Sequence, residues 1–319
     1  MSTLYLDRRE LSLKLEGNAL AIYAAGERQG TVPLHLLQTV VMRSAVGMQS
    51  SLLARLADAG IGVVAFGGRG ASKLALVQGR SHNDGARRIG QYRRYDDPDW
   101  RLNWARRLVR GKLRRQRRLL LRAAARRADL RHPLHKALGQ LDSALGRVTA
   151  NDLTSIDSLR GIEGAAAAAY FGALTRLFPD ALQFTGRNRR PPRDPVNAVL
   201  SLGYTMFHIE AVRACHMAGL DPIIGYYHEL DFGRESLASD LIEPLRPAVD
   251  GWAWQQFTDR NLREDHFSRD GEACLLGKTG RQHFYAAYEL FARPHRRLLR
   301  RVTRSLATTL AAAGRSRRA

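Results

Sequence analysis

The chain has 319 residues, 45% of them hydrophobic, which is enough for a substantial core and, by length, for about two domains. Lysine and arginine total 51 against 30 acids, giving a formal charge of +21 and a pI near 11.0. The expected partner is therefore a polyanion, DNA or RNA ahead of an acidic membrane surface. Two cysteines, Cys215 and Cys274, exclude a disulfide framework and lack any zinc-type spacing. No apolar run of membrane-spanning length occurs, and the charges in MSTLYLDRRELSL interrupt what would be a signal-peptide core, so the setting expected is cytoplasmic.

Along the chain, LSLKLEG, ALAIYAAG and GTVPLHL are short, partly alternating runs separated by turns at EGN and GERQG, and predict strands. QSSLLARLADAG predicts a helix with Leu52, Leu53 and Leu56 on one face and Gly60 as its stop, and IGVVAFGG predicts a buried strand. From about residue 95 the period turns helical. DDPDWRLNWARRLVRGKLRRQRRLLLRAAARRADL predicts a long helix with Trp104, Leu108, Leu119 and Leu120 inward and arginines, among them Arg114, Arg115 and Arg118, around the rest. That basic face is either simply solvated or a phosphate-contacting surface, where each neutralised phosphate adds salt-sensitive affinity. TSIDSLRGIEGAAAAAYFGAL and VNAVLSLGYTMFHIEAVRACHMAG predict two more helices on either side of the stiff basic loop GRNRRPPRDP. The fold class expected is α+β: a small N-terminal β-rich domain, 1–88, followed by a larger all-α domain, 89–319, with a basic tail that frays at its end.

Chemistry concentrates in YYHELDFGRESLASDLIEPLRP, residues 226–247. With Ser236 or Ser239 as a helix cap, Asp240 and Glu243 fall three apart on one face, and carboxylates that close need a cation or a shared proton between them. A turn at Gly233 allows His228 to fold back over the same face. Oxygen donors plus one imidazole suit Mg²⁺ or Mn²⁺ better than Zn²⁺. The plainer alternative is an exposed acidic helix pairing with Arg234 and Arg246. Glu163 stands in the small-sided, apolar stretch GIEGAAAAAYF, where a carboxylate is costly unless paired or bound to metal; its plainer alternative is a first-turn glutamate on the helix dipole. Spacing alone does not connect Glu163 to His228. His208 and His216 read as core histidines, and CLLGKTGR lacks the pattern of a phosphate loop.

Taken together, LRGIEGAAAAAYF, RNRRPPRDPVNAVLSLGY, HELDFGRESLASDLIEPLRP and CLLGKTGRQHFYAAYE, in that order, resemble the CRISPR-associated spacer-acquisition integrase family, the first of the Cas proteins. TLYLD, GTVPLHLLQTVV and LLARLADAGIGVVAF resemble that family's N-terminal domain, and ARRLVRGKLRRQRRLL its first long helix. The resemblance implies an N-terminal β-domain that forms a homodimer and a C-terminal helical domain with one divalent-metal site, Mn²⁺ or Mg²⁺. It places the metal ligands at Glu163, His228 and Glu243. Asp240 becomes a supporting acid and Arg246 a phosphate contact. The same likeness implies DNA-contact or support roles for Arg189, Arg190, Arg193, Asn197 and Lys278, with Tyr170 and Tyr204 lining the site. The family's activity is insertion of short DNA fragments into a CRISPR array: a 3′-hydroxyl attacks a phosphodiester at a repeat edge, and the same site cuts branched or double-stranded DNA when water replaces the hydroxyl. A small second Cas protein is the implied partner in the integration complex. The competing readings are a non-catalytic DNA-binding architectural protein and a generic metal nuclease of DNA repair.

Overall fold

The computed structural model describes residues 2–67, 73–80, 82–150, 153–188 and 191–315. Two compact units divide the chain, Met1–His82 with Tyr285–Glu289 as one and Asn83–Phe284 with Leu290–Ala319 as the other. The first helix of the second unit starts at Gly85, where Asp84 accepts the Ala86 N–H at 3.1 Å, so helical character begins slightly ahead of residue 89.

The first unit is built from β1 (Ser2–Leu6), β2 (Leu11–Glu16), β3 (Ala19–Ala24), β4 (Glu27–Pro33), β5 (Leu37–Met42), β6 (Val46–Met48), α1 (Ser50–Asp58), β7 (Gly62–Gly67) and β8 (Lys73–Val77). One sheet runs β1-β5-β7-β8, parallel except at the β7/β8 edge; the other runs β4-β3-β2-β6 with antiparallel hairpins and β6 parallel to β2. Alternation in LSLKLE buries Leu11 and Leu13, and Leu52 and Leu56 of α1 pack with Leu20, Val40 and Ile61 in one core.

The second unit contains α2 (Gly85–Tyr95), α3 (Pro98–Arg126), α4 (Arg131–Thr149), α5 (Ile156–Thr175), α6 (Pro195–Ala218), α7 (Ser236–Ile242), α8 (Arg246–Thr258) and, apart from Tyr285–Glu289, α9 (Lys278–Arg315). Helix starts follow local rules: Asp97 before Pro98 accepts the Trp100 N–H at 2.9 Å, and Asp194 before Pro195 accepts the Asn197 N–H at 2.8 Å. An all-α unit was expected; a short hairpin, β9 (Phe267–Asp270) with β10 (Ala273–Leu276), is the exception. Among the described residues no helix is long and apolar enough to cross a membrane.

Two close contacts fix helices of this unit to one another. Helices α2 and α9 meet through Gly90 and Gly314: a Cβ at Gly90 falls 1.8 Å from the Leu310 carbonyl, and one at Gly314 falls 1.8 Å from that of Ala86. Nearby side chains cannot yield, because the clash is with backbone. The second contact is a buried tyrosine–aspartate–tyrosine link. Asp250 of α8 accepts hydrogen bonds from Tyr170 of α5, at 2.7 Å, and from Tyr204 of α6, so one carboxyl joins three helices. Burial pushes Asp250 up to about 6, although both hydroxyls and the nearby Arg187 and Arg246 favour its charged form.

Replacing Gly90 by alanine gains under about 1 kcal/mol of helix propensity but creates an overlap costing about 1–3 kcal/mol, so Gly90→Ala should lower the urea unfolding midpoint. Asp250 holds its proton in the folded chain across a range where the unfolded chain has released it. Its contribution to stability is therefore complete below the ordinary value of 3.8 and is lost as pH rises through about 6. An asparagine side chain in its place cannot titrate, so Asp250→Asn should gain on the parent by on the order of 3 kcal/mol between pH 4 and pH 7, read from paired denaturation curves.

Candidate active site

The three side chains singled out from sequence come from separate segments of the second unit. Glu163 lies in the middle of α5, well past the first turn, so a helix-dipole role does not describe it. Glu243 opens a short 3₁₀ turn, Glu243–Leu245, between α7 and α8, and His228 lies on the segment joining α6 to α7. That segment is drawn tightly against α7 at Gly225, where a Cβ would sit 2.6 Å from the backbone carbon of Ser236. Leu237 N–H to the Pro222 carbonyl, at 2.9 Å, closes the same approach. Neither Ser236 nor Ser239 caps α7. Glu235 occupies the cap position, and the Ser236 hydroxyl donates to the Glu229 carbonyl at 2.8 Å.

Asp240 is fully buried and receives four donors: the backbone N–H groups of Tyr226 (2.7 Å), Tyr227 (3.0 Å) and His228 (3.0 Å), and His228 Nδ1 at 2.7 Å. Because the three backbone groups only donate, Asp240 is the acceptor and Nδ1 carries the hydrogen. His228 Nε2, the other ring nitrogen, faces Glu243 Oε1 at 3.8 Å. The loop is braced from the other side by Arg160, whose guanidinium donates to the Tyr227 carbonyl at 2.8 Å and to Glu229 at 2.6 Å.

Between the two glutamates sits a cation that sequence reading had not singled out. The Lys112 ammonium, reaching from α3, donates to Glu163 Oε1 and lies 2.7 Å from Glu243 Oε2. On the other side of Glu243, Arg246 Nε is 2.8 Å from Oε1. Glu243, only 6% exposed, is thus paired with a cation at each of its two oxygens. Burial opposes the charge on Glu243, but Arg246 and Lys112 outweigh it and hold the carboxyl down at about 2. For Lys112 burial again opposes charge, and the two glutamates outweigh it, raising the ammonium above its usual range. The exposed acidic helix considered from sequence is not what forms, since Asp240 and Glu243 are both buried. Among the described residues no three His, Cys, Asp or Glu side chains stand ready-made around one ion position; the ammonium fills the space between the carboxylates.

The other expected residues are distributed more widely. Arg246 stacks over the Tyr204 ring at 4.9 Å, with Arg187 over the same ring at 5.2 Å, tying the cluster to the buried Asp250 link. Tyr170 and Tyr204 are thus helix-joining groups around Asp250. Asn197 is committed to the preceding loop: its amide donates to the Gly186 carbonyl (2.8 Å) and to Asp194 (2.6 Å), and accepts from Asn188 N–H (3.1 Å) and Arg187. Arg189 and Arg190 lie outside the described residues. Arg193 pairs with Glu272 at 3.0 Å, and Lys278 is exposed at the start of α9. On α3, Arg114 and Arg118 are exposed. Arg115 donates to the Pro244 carbonyl at 2.7 Å, and burial together with Arg118 lowers its affinity for its proton. Arg115, Arg118, Arg122 and Arg126 line a cleft of about 380 Å³ together with Trp252 and Trp254.

A sequence signal for Lys112 did exist. It is one of only five lysines in the chain, and it interrupts the arginine run of RRLVRGKLRRQRR. An isolated ammonium where every neighbour is a guanidinium marks a site with a different geometric demand.

Against known proteins, the family profile described as CRISPR associated protein Cas1 matches residues 4–290. A curated relative from Thermodesulfovibrio yellowstonii, named CRISPR-associated endonuclease Cas1 1, is 38% identical over 302 residues, spanning 94% of each chain. Among solved structures, a Cas1 protein from Thermotoga maritima has the same fold with a TM-score of 0.82 at 24% identity, covering 97% of both chains. A casposase bound to integration product is similar at a TM-score of 0.79 and 19% identity, over 99% of this chain and 92% of that one. With a family profile spanning most of its length and a curated relative of this identity over nearly all of it, this chain belongs to the CRISPR-associated Cas1 family.

Proposed function

We propose that this chain is a divalent-metal-dependent DNA endonuclease and integrase of CRISPR adaptation, joining the 3′-hydroxyl of a short DNA fragment to a phosphodiester of the array. The observation that carries this reading is that Glu163 and Glu243 share one ammonium, Lys112, while His228 Nε2 stands 3.8 Å from the other oxygen of Glu243. Two oxygens and one imidazole nitrogen make a hard donor set suited to Mg²⁺ or Mn²⁺. A divalent ion held there supplies charge neutralisation to the attacked phosphodiester.

The chain's own groups have separable tasks in this reading. Asp240 orients the His228 ring and spends both oxygens on backbone and ring N–H groups, which supports Glu243 over Asp240 as the third ligand. Arg246, paired with Glu243 and stacked on Tyr204, keeps a positive charge beside the site and orients that carboxylate. Exposed arginines of α3 grip the DNA backbone without reading its sequence. The β-rich first unit serves dimerisation, and the small second Cas protein is the partner for integration. A purely architectural DNA binder accounts for the charge of the surface but gives no reason to set a buried glutamate, Glu243, against a second, part-buried one, Glu163, and an imidazole.

Glu163→Gln and His228→Ala should each reduce Mn²⁺-dependent cleavage of a branched duplex, and joining of a labelled fragment into a repeat-bearing plasmid, by more than about 100-fold, with circular dichroism unchanged. Asp240→Asn should lose about 10- to 100-fold. Cleavage that survives His228→Ala in a folded protein overturns the assignment. Replacing Arg114, Arg115, Arg117 and Arg118 by glutamine should lower the slope of log affinity against log salt by about 2. Most of that change falls to Arg114 and Arg118, since Arg117 pairs with Asp142 and Arg115 with a carbonyl.

A further inference from the structure

The ammonium of Lys112 sits where the proposed function requires an ion. It touches Glu163 Oε1 and lies 2.7 Å from Glu243 Oε2, with its side chain 13% exposed. Two carboxylates from α5 and from the turn after α7 repel one another at this separation, and a positive group between them is what allows the backbone to hold them there. Arg246 pairs with the other oxygen of Glu243 and stacks on the Tyr204 face, outside the space between the two glutamates. Lysine differs from arginine in the property that matters here. Its charge is compact and carried on a flexible stem, without the planar fork that locks a carboxylate in two-point contact. A compact ammonium on a flexible stem, set between two acids, is a cation suited to exchange.

We infer that Lys112 is a positioning residue that holds Glu163 and Glu243 in register before the divalent ion arrives and withdraws as the ion takes its place. Ion entry is then an exchange of one cation for another, with the released ammonium swinging outward on its four-carbon stem. This rests on the metal reading of the site. It separates from that reading because a lysine that merely stabilised the fold would leave ion affinity alone, whereas a lysine that competes with the ion suppresses it.

The experiment compares the full chain with Lys112→Met, binding Mn²⁺ without DNA, by electron paramagnetic resonance of the free ion and by thermal unfolding. Loss of the competing charge should tighten Mn²⁺ binding by about tenfold or more. The ion-free variant should melt below the parent, and saturating Mn²⁺ should raise its midpoint by more than it raises the parent's. Should Mn²⁺ bind the parent and bind Lys112→Met no more tightly, the exchange role is wrong while the metal site stands; if neither protein binds Mn²⁺, both fall. A second measurement covers a variant that does not fold: amine-reactive labelling of the parent, read by mass spectrometry. Labelling of Lys112 should rise severalfold on saturation with Mn²⁺, and an unchanged rate overturns the displacement.

Discussion

Holding Glu163 and Glu243 together inside the protein is the constraint on which the rest of the site depends. Two unit negative charges about 4 Å apart repel by about 4 kcal/mol at the effective dielectric of a protein surface, a large share of a domain's total stability. Lys112 and Arg246 offset that repulsion from opposite sides of Glu243. Every element that places these four groups, α3 with Lys112, α5 with Glu163, and the α7–α8 junction with Glu243 and Arg246, has to be fixed before the cluster is favourable at all.

That fixation is provided by polar networks as well as by apolar packing. Asp240 gathers the chain from Tyr226 to His228 onto α7 through three backbone N–H groups, so the imidazole is set by the same carboxylate that sets its loop. Arg246 connects the cluster to Tyr204, and Tyr204 connects it through Asp250 to α5, the helix that also carries Glu163. The circuit is closed. Moving α5 relative to α8 disturbs Glu163, Asp250 and the ring on which Arg246 rests, so the helix packing and the placement of the clustered charges change together.

Charge in this protein divides into two kinds. The part-buried cations at the cluster, Lys112 and Arg246, are matched to specific acids, and their worth comes from the reduced dielectric around them. The arginines on the outer face of α3 are exposed, and such charges act at a distance and are screened by salt. A net charge of +21 therefore describes the second kind and conceals the first.

Length, charge, the change from alternating to helical periodicity and the helix starts at Asp97, Ser155 and Asp194 are local properties, and the sequence by itself determined them because caps, prolines and side-chain periods act within a few residues. The acids and the histidine of the site were legible as residues out of place. Their convergence was not, since Glu163 and His228 are linked only through packing of helices distant in sequence. The cap proposed for α7 failed because Ser236 is drawn to the Glu229 carbonyl by the tight approach at Gly225, a tertiary contact. The same holds for Lys112 and Asp250: an ordinary-looking lysine in a basic helix and an aspartate in α8 acquire their meaning only when other helices bring carboxylates or tyrosine hydroxyls to them. Long-range electrostatics and burial are properties of the assembled fold, and only the tertiary structure decided which charges would meet.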